Sequence, residues 1–95
     1  MLVKVKLMGI YQKLFGKNII LLQLNNQPTI KEVIQKIVDS SPKGFKQAFI
    51  DPELNSPKPN ALIIVDGREI SVLEELETKL KNGSEVVIIP VSHGG

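Results

Sequence analysis

Residues 29–40 read TIKEVIQKIVDS, and they carry the clearest helical pattern in the 95-residue chain. The apolar residues recur at intervals of three and four, which places them on one side of a helix: Ile30, Val33, Ile34, Ile37 and Val38. Thr29 and Glu32 have the spacing of a capping box, so Thr29 is expected to cap the first turn. A single apolar stripe predicts that this helix lies across a sheet and closes a core.

Two strand-like segments precede the helix. Residues 2–9, LVKVKLMG, alternate so that Val3, Val5 and Leu7 share one side. Residues 19–24, IILLQL, are almost wholly apolar. The segment between them contains the turn formers Gly16 and Asn18, so the two strands are predicted to form an antiparallel hairpin joined by a loop.

Three more strand signals follow the helix. Residues 61–65, ALIIV, form a predicted strand, and the Asp66-Gly67 turn leads into a short strand, REI. Residues 85–89, EVVII, form the last predicted strand, and Pro90 ends its ladder. Between these, VLEELETKL predicts a helical or 3₁₀ turn.

The segment 41–60 is the least regular and holds four of the six prolines. It is predicted to be a long connecting loop with a short helical turn near Phe45, Phe49 and Ile50 at the edge of the core. Too little chain follows it for a second core, so the chain is expected to form one domain, residues 1–90. Residues 91–95 are expected to be a flexible C-terminal tail.

The element order β-β-α-β-β predicts an α+β roll, in which one main helix packs across a mixed sheet. If the first and last strands pair in parallel at the centre, the arrangement is the ubiquitin-like β-grasp. Periodicity alone leaves the strand order open.

Composition excludes several classes of function. The chain has no cysteine and one histidine, so it holds no thiolate nucleophile, zinc–thiolate site or multi-histidine metal site. A net charge of +2 and only four aromatic residues argue against specific nucleic-acid binding, and no apolar run is long enough for a membrane span. The serines have no paired base. We therefore expect a cytoplasmic protein that is not itself an enzyme and binds no cofactor.

The sequence ends in PVSHGG, residues 90–95, directly after the last predicted strand. Gly94 and Gly95 lack a Cβ, so they can enter a channel too narrow for any side chain. A terminal carboxylate becomes a good acyl donor once it forms a mixed anhydride with AMP. A sulfur nucleophile or a lysine amine can then displace the AMP. Terminal glycines are also common as frayed ends, so the diglycine gains weight only from its place after a strand.

Four segments together resemble the sulfur-carrier branch of the ubiquitin-like proteins. They read VKVKLMG, TIKEVIQKI, NALIIVDGREI and TKLKNGSEVVIIPVSHGG, and they cover most of the chain outside 41–59. This branch includes the small subunit of molybdopterin synthase, which the chain resembles most, the thiamine-pathway sulfur carrier and the archaeal small modifiers. The resemblance implies that an E1-like enzyme uses ATP to adenylate Gly95, which then carries sulfur as a thiocarboxylate, with Gly94 as the neighbour that fits the channel.

The resemblance also implies a set of partners. They are the adenylating enzyme, a sulfur donor such as a cysteine desulfurase or rhodanese, and the large subunit of molybdopterin synthase. Alternatives are transfer of sulfur to tRNA, isopeptide attachment to lysines of target proteins, and an interaction module with an inert tail.

A docking surface is expected where apolar side chains point away from the helix-covered face. Alternation from Leu7 and Ile88 puts Met8 and Ile89 on that side, and Leu73 is expected nearby. The tail residues Val91, Ser92 and His93 would extend the contact. The bland alternatives are that these residues only cover the sheet or join the core, and that His93 is an exposed side chain with no special role.

Overall fold

The computed structural model describes residues 1–91, which fold as a five-stranded mixed sheet with helices on one face. The sheet has the strand order β2-β1-β5-β3-β4. The strands are β1 (Leu2–Leu7), β2 (Ile19–Gln23), β3 (Ala61–Val65), β4 (Arg68–Glu69) and β5 (Glu85–Pro90). The helices are α1 (Gly9–Phe15), α2 (Ile30–Ser40) and α3 (Phe45–Phe49), with 3₁₀ turns at Ile70–Val72 and Glu75–Glu77.

The first and last strands form the centre of the sheet. They run parallel, from the pair Lys4 and Glu85 to the pair Leu7 and Ile88. On either side, β2 pairs antiparallel with β1, and β3 pairs antiparallel with β5. The central parallel pair confirms the predicted β-grasp arrangement.

Helix α2 closes the core as its sequence predicts. The Thr29 hydroxyl accepts a hydrogen bond from the Glu32 amide at 3.4 Å, which caps the first turn. The buried side of the helix consists of Ile30, Val33, Ile34 and Ile37. These residues belong to the same core cluster as the buried, inward-facing residues of the strands, which are Val3, Val5, Leu7, Ile63, Val86 and Ile88. This layer is the core of the domain.

The connection between β1 and β2 differs from the prediction. Residues 9–15, expected in part as strand and in part as loop, form helix α1, and β1 already ends at Leu7. Gly16, with φ 89°, ends the helix, and its amide donates to the Gln12 carbonyl at 2.9 Å. So short a helix is unstable by itself in water, and it forms here because it buries Tyr11, which is 1% exposed.

The segment 41–60 is also more central than predicted. Its helical turn exists as α3, but Phe45 and Phe49 are fully buried, so the expectation that they lie at the core edge was wrong. Their rings contact Tyr11 at centroid distances of 5.9 and 5.3 Å. Phe15 joins the cluster against Phe45 at 5.3 Å. Large aromatic rings supply so much apolar area that this proline-rich connection becomes part of the core.

The turn between β3 and β4 forms as predicted. Asp66 and Gly67 both have positive φ, 48° and 87°, as the tight hairpin turn requires. The Asp66 carboxylate also accepts hydrogen bonds from the Ser84 hydroxyl at 3.0 Å and the Glu85 amide at 2.9 Å. The turn is thereby tied to the start of β5, a contact the sequence did not reveal.

Candidate functional site

The root of the tail lies at the end of the central strand β5. Pro90 still pairs with Ala61 of β3, and the Val91 amide donates to the Asn60 carbonyl at 3.0 Å. The predicted reactive residues Gly94 and Gly95, and the predicted contact residues Ser92 and His93, lie outside the described residues. The structure therefore describes the domain that carries the tail and the point from which the tail leaves.

Helix α1 packs tightly against this root. The Met8 amide donates to the Ile88 carbonyl at 3.0 Å, which places the start of α1 beside the end of β5. At Gly9, with φ 56°, a Cβ would lie 2.8 Å from the Pro90 Cγ. Only glycine fits this contact without a shift, because carbon atoms normally pack at about 3.5–4.0 Å.

A row of apolar side chains crosses the outer face of the sheet beside this root. Ile89 of β5 pairs with Leu62 of β3. Met8 comes one residue after Leu7, which pairs with Ile88, so Met8 flanks Ile89 on the β1 side while Leu62 flanks it on the β3 side. Met8 is 43% exposed, Leu62 37% and Val91 40%, whereas Ile89 is half-buried. We call these four residues the outer patch.

Two residues differ from the predicted surface. Leu73 follows the 3₁₀ turn after β4 and packs, partly buried, against the core cluster, so its fate matches the bland alternative. Leu62 belongs to the outer patch but was missed. The alternation within ALIIV would have revealed it, since Leu62 lies between the buried residues Ala61 and Ile63.

The next rows of the outer face carry both charge and apolar surface. In register order, Ile19, Lys6, Val87 and Ile64 form one row, and Leu21, Lys4 and Glu85 form another. Lys4 and Glu85 lie 3.8 Å apart and both are partly exposed, so their ion pair is weak. In these rows the charges lie on the two central strands, and the apolar side chains of Ile19 and Leu21 lie on the edge strand β2.

The two resolved shifts of acidity both have local causes. Burial raises the pKa of the Tyr11 hydroxyl above its usual value of 10.0. Hydrogen bonds from the Ser71 hydroxyl, and secondarily from backbone amides, lower the pKa of the exposed Glu69 carboxyl, which caps a 3₁₀ turn. The Tyr11 hydroxyl donates to the Asn60 carbonyl, and the Glu69 carboxylate accepts from the Ser71 amide, so both groups have partners within the domain.

Residues 1–91 contain no group of three His, Cys, Asp or Glu side chains that could hold a metal ion. In the same part of the chain, every helix is too short or too polar to cross a bilayer. The recesses on the helix side are lined by lysine, amide and apolar side chains, among them Lys46, Ile50 and Asn55.

A family model and several solved structures match the chain. The model of the ThiS family matches residues 5–95. The solution structure of small archaeal modifier protein 1 from Methanosarcina acetivorans is 28% identical, with a TM-score of 0.79, and the match covers 99% of this chain and 96% of that one. Among curated proteins, none matches the sequence.

Two further structures share the fold at lower identity. A putative molybdopterin converting factor, subunit 1, from Pyrococcus furiosus is 22% identical, with a TM-score of 0.75, and 97% of this chain and 99% of that chain are covered. A chain in the BexX/CysO complex of Amycolatopsis orientalis is 20% identical, with a TM-score of 0.72, and 98% and 99% are covered. At these identities the likeness shows the β-grasp fold.

Proposed function

The chain belongs to the ThiS family of ubiquitin-like sulfur carriers, and from that premise we propose that the Gly95 carboxylate is its reacting group. The observation that carries this proposal is the extent of the family match, which runs through the diglycine to residue 95. The geometry of the root supports it, because residues 91–95 follow directly in sequence on the central strand β5.

The proposed chemistry needs no catalytic side chain on this protein. A Gly95 carboxylate oxygen attacks the α-phosphorus of ATP on an E1-like enzyme, and pyrophosphate leaves. Hydrosulfide then attacks the acyl carbon and displaces AMP, and the products are the Gly95 thiocarboxylate, AMP and a proton. Gly94 keeps the chain thin where the enzyme encloses it. The protein is thus a carrier that a partner enzyme activates. We propose that it acts in the cytoplasm, where the ATP for this activation is available.

For the acceptor we propose molybdopterin synthesis, in which the large subunit of molybdopterin synthase would receive the tail. The resemblance of the four quoted segments and the fold shared with the Pyrococcus furiosus protein support this choice. A second function, attachment to target lysines, is favoured by the 28% identity to the Methanosarcina acetivorans modifier. The same activated Gly95 would serve either reaction, and tRNA thiolation is a further sulfur-consuming alternative.

We propose that the outer patch docks these partners. Its members Met8, Leu62 and Val91 are exposed apolar residues directly beside the root of the tail. A partner that covers the patch would therefore receive the tail in the same encounter. Apolar side chains desolvated at the centre of a contact supply most of its binding energy.

The proposed chemistry is tested by intact mass. The purified protein is incubated with ATP, sulfide and the activating enzyme of the same organism. The expected product gains the mass difference between one sulfur and one oxygen, and a variant that lacks Gly95 gains nothing. The proposal would be overturned if the mass of the full chain stayed unchanged while the same enzyme preparation activated another carrier protein added as a positive control.

The acceptor is tested separately. The thiocarboxylated protein is mixed with the large synthase subunit and the molybdopterin precursor, and loss of sulfur is followed by mass. In cells, conjugates of higher mass that disappear on deletion of Gly95 would establish the modifier function instead.

Docking is tested by introducing a negative charge into the outer patch. Met8→Glu is expected to raise the KM of the activating enzyme for the carrier about tenfold or more, since one buried charge disrupts an apolar contact. Leu54→Glu is the matched control, because Leu54 is 65% exposed in the loop after α3 and has no place on the outer face. Equal KM values for the two variants would refute docking through the patch.

A further inference from the structure

Asn60 is the point at which the root of the tail meets two helices. Its backbone carbonyl accepts a hydrogen bond from the Tyr11 hydroxyl at 2.8 Å and from the Val91 amide at 3.0 Å. Its side-chain amide donates to the Phe49 carbonyl at 3.3 Å, at the end of α3. A single residue before β3 thus connects α1, α3 and the first residue of the tail.

Successive residues of β5 bond to opposite neighbours: the Ile88 carbonyl accepts from Met8 on the β1 side, and the Val91 amide donates to Asn60 on the β3 side. Pro90 lies between them and has no amide hydrogen for the β1 side. The end of the strand is therefore held on the β3 side, by Val91. Its bond to Asn60 is the last backbone hydrogen bond in the part of the chain that the structure describes.

Tyr11 fixes the carbonyl that holds Val91. Its ring is 1% exposed and packs edge-on against Phe49 and obliquely against Phe45, so the hydroxyl is held in one place. The hydroxyl spans 49 residues of sequence to reach Asn60. Burial also favours its neutral, donating form. The same helix braces Pro90 through the close contact at Gly9.

We propose that Tyr11 and Asn60 are positioning residues, which fix the direction in which residues 92–95 leave the domain. This inference rests on the proposed function, in which Gly95 must reach a partner's active site. Once the outer patch is docked, a tail held at Val91 searches fewer conformations before its carboxylate meets the nucleotide. Such preorganisation raises the rate of the bound complex because less freedom is lost at that step.

The first test measures the clamp without any partner. Tyr11→Phe keeps the aromatic ring and removes only the hydroxyl. Amide hydrogen exchange at Val91 is expected to accelerate about 2- to 10-fold, the range that one net hydrogen bond supports. The Met8 amide, bonded to the Ile88 carbonyl, is the internal control and is expected to keep its rate. Unchanged exchange at Val91, or equal acceleration at both amides, would overturn the inference.

The second test measures activation of the carrier. With the same enzyme and ATP, Tyr11→Phe is expected to lower kcat about 2- to 10-fold and to change KM much less, since Met8, Ile89 and Leu62 of the outer patch are untouched. Thr29→Ala is the stability control, because it removes a similar amount of stability at the cap of α2 and leaves the root untouched. A rise in KM alone, or an equal fall in kcat in both variants, would contradict a positioning role.

The two proposals fail in distinguishable ways. If wild type is never activated at Gly95, the proposed function is wrong, yet the exchange rates still report whether the clamp exists. If wild type is activated and Tyr11→Phe matches it in kcat, the carrier function stands and the positioning role is refuted.

Discussion

Substitution of Gly9 by alanine tests the packing of α1 against β5. Two costs add at this position. The left-handed backbone, with φ 56°, costs an alanine about 1–2 kcal/mol. The new Cβ would lie 2.8 Å from the Pro90 Cγ, and overpacking of this kind costs about 1–3 kcal/mol.

The loss of unfolded-state freedom offsets part of these costs, by about 0.4–1 kcal/mol. We therefore expect Gly9→Ala to lower the free energy of unfolding by about 2–4 kcal/mol, a large share of the roughly 5–15 kcal/mol typical of a domain. Urea unfolding followed by circular dichroism measures the change as a shift of midpoint at constant slope.

Gly16→Ala is the matched control. Gly16 also has positive φ, 89°, but outside its own local backbone no atom lies within 4 Å of the position that its Cβ would take. Only the backbone cost then remains, about 1 kcal/mol after the offset.

A double-mutant cycle isolates the clash itself. In a Pro90→Ala background the Cγ is gone, so Gly9→Ala is expected to cost about as much as Gly16→Ala, with a coupling of about 1 kcal/mol or more. Equal costs at positions 9 and 16 in the native background would refute the proposed contact.

Three further predictions concern the core, the pH dependence and a turn. Phe49→Ala is expected to lower the free energy of unfolding by about 3–5 kcal/mol, against about 0.5 kcal/mol or less for the exposed Leu54→Ala; similar values in urea unfolding would show that residues 41–60 lie outside the core. Burial raises the pKa of Tyr11, so its contribution to stability is complete below the usual value of 10.0 and is lost as the pH rises through the folded-state pKa. Urea midpoints above about pH 10 should fall more steeply for wild type than for Tyr11→Phe, and parallel curves would contradict this. Asp66→Ala removes the acceptor of the Ser84 hydroxyl and the Glu85 amide and should cost about 1–3 kcal/mol, whereas Asp66→Asn, which keeps one acceptor, should cost less.

Periodicity predicted the parts of the fold that have a strong local pattern. The stripe of α2, the alternation of β1 and the Asp66-Gly67 turn all appear in the structure, because each pattern is long enough or specific enough to determine one local conformation. Resemblance, rather than periodicity, supplied the central pairing of β1 with β5. Strand order depends on contacts between segments far apart in sequence, and local patterns carry no information about such contacts.

The two wrong interpretations share a physical cause. Helices α1 and α3 have seven and five residues, lengths at which isolated helices are unstable in water. They are stable because Tyr11, Phe45 and Phe49 pack on one another, a contact between segments far apart in sequence. The helical turn at α3 was predicted, but this packing and the burial of Phe45 and Phe49 were not. The spacing of Tyr11, Leu14 and Phe15 was the available signal for α1.

The candidate site divides in the same way. Alternation found Met8 and Ile89, and would have found Leu62, because the outer face follows from the strand period. Leu73 follows a 3₁₀ turn, where no such period applies, and it packs against the core. The roles of Gly94 and Gly95 stay predictions. The contacts of the Asn60 carbonyl could not be predicted from the sequence, because every residue type has a backbone carbonyl.

The parallel pairing of β1 and β5 also determines how the domain responds to force. The two strands run in the same direction, so a pull on Gly95 against an anchored first residue slides them past one another. The hydrogen bonds between β1 and β5, over the pairs from Lys4–Glu85 to Leu7–Ile88, then bear the load together in shear. They do not open one after another. Forced unfolding is governed by the unfolding rate, which this geometry slows. A machine that drags the molecule by its tail would meet the strongest part of the sheet first.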